Sequence, residues 1–129
     1  MKDFKTILLE KNPPLGKIIY NDHATLNAYS ILMMEEATKA FLELENDAQI
    51  NVIILTHTGD RMGGALGVSG DTYDEQMEYF KKRHIYLQFL LRDITKPIIT
   101  YGFGIQEGDI VIASETSKFS QPAIRFGMP

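Results

Sequence analysis

The sequence has no cysteine. That excludes disulfides, thiolate catalysis and cysteine-based zinc or iron–sulfur sites. It also lacks an excess of basic residues: 13 Lys and Arg stand against 17 Asp and Glu, for a net charge of −4. A dedicated nucleic-acid binder needs a basic footprint to release counterions, so that class is disfavoured. No apolar run is long enough to span a bilayer. The opening residues, Met1 to Thr6, are charged and lack the apolar stretch of a signal peptide, so the expected location is the cytoplasm. No internal repeat, low-complexity tract or linker divides the chain. With 129 residues, 44% hydrophobic and 23% charged, it reads as one globular domain able to bury its own core.

The order of elements follows from periodicity and punctuation. Thr6 to Glu10 and Leu15 to Tyr20 read as strands joined at Asn12-Pro13-Pro14 into a hairpin. Ser30 is an N-cap for a helix to about Asn46, with Met33, Ala37, Ala40, Phe41 and Leu44 inward. Glu35, Glu36, Lys39 and Glu43 fall mostly on its outer face. Val52 to Leu55 is a continuous apolar run, the pattern of a strand buried on both faces. A second helix is expected from Tyr73 to Arg92, capped by Asp71 or Thr72, with Met77, Phe80, His84, Leu87 and Leu91 inward. Ile98 to Tyr101 and Ile110 to Ala113 read as strands, and Lys118 to Ser120 as a short one. Strand and helix alternate as in βαβ units, which predicts an α/β fold with a mostly parallel sheet.

Two glycine-rich loops each follow a buried strand. Gly59, Gly63, Gly64, Gly67 and Gly70 make the first, and Gly102 to Gly108 the second. Ligands in parallel-sheet folds sit at the carboxyl ends of strands, and glycine lets backbone N–H groups approach them closely. Two such groups from separate loops can hold one developing oxyanion. Nucleotide motifs fail on inspection. Gly59 to Gly64 has P-loop spacing, but Ala65-Leu66 follows where Lys-Ser/Thr is required. Gly102-Phe103-Gly104 opens a near match to a dinucleotide fingerprint, but a strand follows instead of the helix that should hold the pyrophosphate.

Several segments, taken together and in order, resemble the enoyl-CoA hydratase/isomerase (crotonase) superfamily. They are Ile7 to Lys11, Gly16 to Asn21, Leu26-Asn27-Ala28, Val52 to Thr56 running into Gly59, and Thr95 to Ile99. Asp109 to Glu115, Lys118-Phe119, Gln121-Pro122 and Gly127-Met128-Pro129 complete the series. The resemblance implies a crotonase-like spiral of ββα units over residues 1–129, acting as an acyl-CoA-binding domain. It implies a CoA thioester as substrate, with no metal or redox cofactor needed. It implies hydration of a 2-enoyl-CoA through an enolate, an activity of fatty acid metabolism, in a trimer or hexamer. Carried over residue by residue, Ala24, Thr25 and Leu26 would meet the adenine end of CoA. Ala65 and Leu66 would line the pantetheine path. Gly64 and Gly104 would supply the oxyanion N–H groups, and Glu107 would be the acid/base.

The sequence also departs from the family pattern. Only Gly102 to Gly108 joins two strands that normally flank three glycines and a helix bearing a catalytic Glu. The position after Gln121-Pro122 that normally holds a second Glu is Ala123, and alanine transfers no proton. The C-terminal helical region that covers the acyl pocket and builds the trimer is not in the sequence, so the domain looks incomplete at that end. An isomerase or acyl-CoA hydrolase of the same family, and a non-catalytic acyl-CoA-binding or interaction domain, therefore remain open beside the hydratase. Glu115 is expected at a surface turn, Tyr101, Phe103, Tyr86 and Phe89 are expected to pack, and His23 and His57 suggest no metal site.

Overall fold

A computed structural model describes residues 3–60, 62, 72, 74–75, 78, 82, 85–102 and 107–119. Strands β1 (Ile7–Asn12) and β2 (Leu15–Tyr20) form the expected antiparallel hairpin, with Ile7 opposite Tyr20 and Asn12 opposite Leu15. A 3-10 turn (His23–Thr25) leads to helix α1 (Ile31–Asn46), then to strand β3 (Val52–His57). Helix α2 (Tyr86–Asp93) precedes β4 (Ile98–Gly102) and β5 (Ile110–Ala113). The sheet order is β1-β2-β3-β4-β5, with every neighbour after the hairpin parallel. The expected α/β, mostly parallel architecture is therefore present.

Helix α1 starts where its sequence directs. The Ser30 side chain accepts from the Met33 amide at 3.1 Å, satisfying one of the donors left free in a first helical turn. Met33, Ala37, Ala40, Phe41 and Leu44 are all fully buried. Each of the larger ones contributes about 2 kcal/mol by leaving water. Their counterparts on the sheet are Ile18, Ile53, Leu55 and Ile98, which share the core with them. Gly16 is required by this packing: a Cβ there would stand 2.6 Å from Leu44 Cδ2 and 3.1 Å from Ile50 Cγ2. Lys96, just before β4, donates to the carbonyls of Leu44 and Asp47, closing the carboxyl end of α1 against the next unit.

Several expectations are corrected. Glu36 is buried, not on the outer face of α1. Its carboxylate accepts from the Lys5 and Thr6 amides, both at 2.8 Å, and from the Thr6 hydroxyl at 2.6 Å. These donors precede β1, and the helix supplies their acceptor. Val52 and Ile54 are only half-buried, because α1 covers one face of the sheet more fully than the described residues cover the other. Tyr86 and Phe89 stand exposed on α2, whose buried residue is Leu87, with Leu90 and Leu91 also packed against the core. Tyr101 is also exposed, since it alternates with the inward Thr100. Lys118 and Phe119 are not in a strand. The helix expected over 73–92 is seen at its far end as α2. At its near end Thr72 and Glu75 exchange side-chain-to-amide bonds, a capping box that selects Thr72 between the two candidate caps. Asp71, Met77, Phe80, His84 and Phe103 lie outside the described residues.

Candidate active site at the carboxyl ends of the strands

The parallel strands end at Tyr20, His57, Gly102 and Ala113. The segments leaving β2 and β3 are bolted together at this end. Asn27 sits in the left-handed region at φ 58°, a conformation its short amide tolerates. Its Oδ1 accepts from the Asp22 amide at 2.7 Å, and its Nδ2 donates to the Thr58 carbonyl at 2.7 Å. Thr58 answers through its amide, which donates to the Tyr20 carbonyl at 2.9 Å, and its hydroxyl, which donates to Asn21 Oδ1 at 2.8 Å. Gly59 follows at φ 75°, beside the His23 ring.

Ala24, Thr25 and Leu26, the residues matched to the CoA-binding segment, share one exposed turn on this rim. Leu26 is 47% exposed and adopts φ 56°. A branched apolar residue held there costs about 1 kcal/mol and contributes nothing to the core. The surrounding hydrogen bonds of Asn27 and Asp22 hold it in place. After Gly59, Met62 packs against the core. Gly64, Ala65 and Leu66 lie outside the described residues, as do Gly104 and Ala123.

Glu107 is described, and it is half-buried. Residues 103–109 join β4 to β5, and the last of them return along β4. The Thr100 hydroxyl donates to the Glu107 carbonyl at 2.6 Å. Asp109 donates its amide to the Ile98 carbonyl and accepts from the Ile98 amide through Oδ2, both at 2.8 Å. Gly108, at φ 146°, makes the close pass: a Cβ there would stand 2.5 Å from Thr100 Oγ1.

Two tyrosines that sequence reasoning did not assign to the site lie near Glu107. Tyr20 is fully buried at the end of β2, and Tyr29 directly precedes the Ser30 cap. Their rings meet edge to face, with centroids 5.4 Å apart at 79°. Their hydroxyl oxygens are 3.4 Å apart, longer than an ordinary O–H···O bond. The Tyr29 hydroxyl is the donor of that long contact, and the Glu107 charge bears on both phenols. Burial first, then the negative charge of Glu107, pushes the Tyr20 phenol above its ordinary value, and the Tyr29 bond offsets a little of this. Burial likewise pushes the Tyr29 phenol well up, with Tyr20 and Glu107 adding to it. Both phenols are therefore neutral beside the Glu107 charge. The available signal was a tyrosine closing the inward-facing positions of β2, because a buried phenol needs a polar partner.

A protein-family model for enoyl-CoA hydratase/isomerase matches residues 10–129. A probable enoyl-CoA hydratase of Mycobacterium bovis is 28% identical to the chain over 134 aligned positions, covering 97% of this chain and 52% of the relative. A probable enoyl-CoA hydratase of Rhizobium meliloti is 30% identical, covering 97% and 52%. The chain thus spans about half the length of the curated relatives it matches. Among solved structures, an enoyl-CoA hydratase/isomerase from Mycobacterium paratuberculosis superimposes with a TM-score of 0.71 at 28% identity, over 98% of this chain and 52% of that one. An enoyl-CoA hydratase from Shewanella pealeana gives 0.83 at 16% identity, over 97% and 52%, a likeness of fold.

Proposed function

We propose, for a chain that belongs to the enoyl-CoA hydratase/isomerase family, that it binds an acyl-CoA thioester and adds water to a 2-enoyl-CoA through an enolate. The observation that carries this reading is the half-buried Glu107 at the carboxyl ends of the parallel strands, near the buried phenols of Tyr20 and Tyr29. The exposed turn of Ala24, Thr25 and Leu26 on the same rim supports it as the place where CoA docks. By the family resemblance, the N–H groups of Gly64 and Gly104 hold the thioester oxygen. They stabilise an enolate more than the neutral ground state, so they lower the barrier. Glu107 takes a proton from water as the water oxygen bonds to C3. The double-bond electrons move onto the thioester oxygen, and the proton is returned at C2, so that one water adds in all. With Ala123 in place of a second carboxylate, isomerase or hydrolase chemistry by Glu107 alone is the nearest variant, and product analysis on several acyl-CoAs separates the three.

The purified protein should consume a 2-enoyl-CoA, read by loss of the conjugated thioester absorbance. Glu107→Gln should lower kcat by about 100-fold or more, the usual contribution of a positioned acid/base. Turnover unchanged in Glu107→Gln would overturn the role of Glu107. A second reading, a non-catalytic acyl-CoA binder, is favoured by one observation. The β4–β5 connection is short and its final residues are committed to pairing with Ile98 and Thr100. Saturable CoA binding with no turnover of any acyl-CoA would select that reading.

A further inference from the structure

A core position of β4 carries a hydroxyl. Thr100 is 0% exposed on the inward face of the sheet, in register with Leu55 and two residues beyond Ile98, both buried. Those neighbours are aliphatic, and a valine would fill the same space with no polar atom to satisfy. A buried hydroxyl needs an acceptor. Thr100 finds it outside its own strand: Oγ1 donates to the Glu107 carbonyl at 2.6 Å, with the Ile110 carbonyl more distant at 3.3 Å. The chain is shaped to bring the Glu107 carbonyl in. Residues 107–109 run back along β4 from Thr100 to Ile98, where Asp109 bonds both backbone groups of Ile98. Gly108 lets the backbone pass, since a Cβ there would stand 2.5 Å from the same Oγ1.

We propose that Thr100 is a positioning residue: its hydroxyl fixes the Glu107 backbone and so sets the point from which that side chain reaches the reacting atoms. The inference rests on the acid/base reading of Glu107 given above. Thr100 exchanges no proton with substrate. Its mount is rigid, because β4 is paired with β3 on one side and β5 on the other, and a β-branched side chain is stiff at χ1. Whatever else the Glu107 side chain contacts, it does so from a backbone held at this post. The bond length gives the effect a scale. A methyl in place of Oγ1 would need about 3.3 Å to a carbonyl oxygen, against the 2.6 Å of the hydrogen bond. The Glu107 backbone would therefore retreat by about 0.7 Å. A shift of about 1 Å at a reacting group can cost about 100-fold in rate.

The test is Thr100→Val, which keeps the shape and removes the donor, beside Thr100→Ser, which keeps the donor. Turnover of a 2-enoyl-CoA is expressed per CoA-binding site, so that a loss of folded protein does not count as a loss of rate. In Thr100→Val a fall in kcat of about 10- to 100-fold is expected. KM should stay within about 2-fold, because substrate binding is not what Thr100 serves. Thr100→Ser should recover most of the lost kcat. An unchanged kcat in Thr100→Val, a rise in KM alone, or a serine variant as slow as the valine one overturns the proposal. A second readout needs no catalysis: the carbonyl 13C resonance of Glu107. In Thr100→Val it should move upfield as the carbonyl loses its donor, while that of Pro14, bonded by the Asn51 amide at the hairpin, stays put. An unmoved Glu107 carbonyl removes the contact and the proposal with it. A moving carbonyl in a protein whose Glu107→Gln variant turns over as fast as the wild type, or which turns over no acyl-CoA, leaves the contact intact. That result sinks the acid/base reading instead, and the catalytic role of Thr100 falls with it.

Discussion

Removing the Glu36 carboxylate should be among the most damaging single changes outside the candidate site. The carboxylate is buried, and it accepts three hydrogen bonds from the chain entering β1. Burial alone would raise its pKa. The Thr6 hydroxyl and the Lys5 and Thr6 amides outweigh that and hold it below the ordinary glutamate value. Hydrogen bonds to a charged group net about 1.5–3 kcal/mol each, and the carboxylate's own desolvation offsets part of the sum. Glu36→Ala should therefore cost about 3 kcal/mol, since it also strands two amides and a hydroxyl. Glu36→Gln keeps the size and one acceptor and should cost about half as much. Urea unfolding at neutral pH measures both. The pH dependence gives a second handle. Because the folded pKa lies below the unfolded value of about 4.3, the stabilisation is complete above that value. It is lost as pH falls through the lower folded pKa. Glu36→Gln should therefore flatten the acid limb of the stability curve relative to the wild type. A Glu36→Ala variant within about 0.5 kcal/mol of the wild type would refute the reasoning.

Further outcomes follow from close approaches and pins. Gly108→Ala should lower kcat before it lowers CoA affinity, because its Cβ meets Thr100 Oγ1 at 2.5 Å and the segment carrying Glu107 must move; steady-state kinetics beside a CoA titration checks this. Gly16→Ala should cost about 1–3 kcal/mol by overpacking Leu44 and Ile50, both fully buried, and thermal unfolding measures it. Asn27→Ala should cost about 2 kcal/mol, since it removes two hydrogen bonds and disfavours φ 58°, and it should also weaken CoA binding through the adjoining turn. Calorimetric CoA titration of that variant with unchanged affinity would separate the turn from the ligand.

What the sequence made legible was the part of the structure built from local pattern. The inward stripe of α1 follows from apolar residues at helical spacing, and Ser30 marks its start by its own chemistry. The parallel strands follow from short apolar runs between glycine and proline signals. Both glycine-rich loops begin at carboxyl ends, as their place after buried strands implied. Glu36 was misplaced because helical periodicity describes faces, and a face does not reveal that donors preceding another strand will arrive there. Asn27 was legible only as part of a family segment. Its structural work lies in a bond to Thr58, far along the chain, and in a backbone angle that sequence does not display. The tyrosine pair was missed for the same reason. Tyr20, Tyr29 and Glu107 come from β2, the approach to α1 and the β4–β5 connection, and only the parallel register brings them together.

The charge arrangement at this end of the sheet bears on why neutral phenols stand near Glu107. An enolate forming beside a carboxylate would place two negative charges in a half-buried space. Glu107 avoids this if it takes up a proton as the enolate charge grows, so that the local charge stays constant. That exchange works only while the neighbours stay neutral. Burial keeps Tyr20 and Tyr29 protonated, so they add no anion of their own near the carboxylate. Replacing Tyr29 by glutamate would retain a polar group and remove that neutrality. It would set a second negative charge near Glu107, and Tyr29→Glu should lose more activity than Tyr29→Phe. If the two variants had equal kcat, the neutrality of the phenol would be irrelevant to the site.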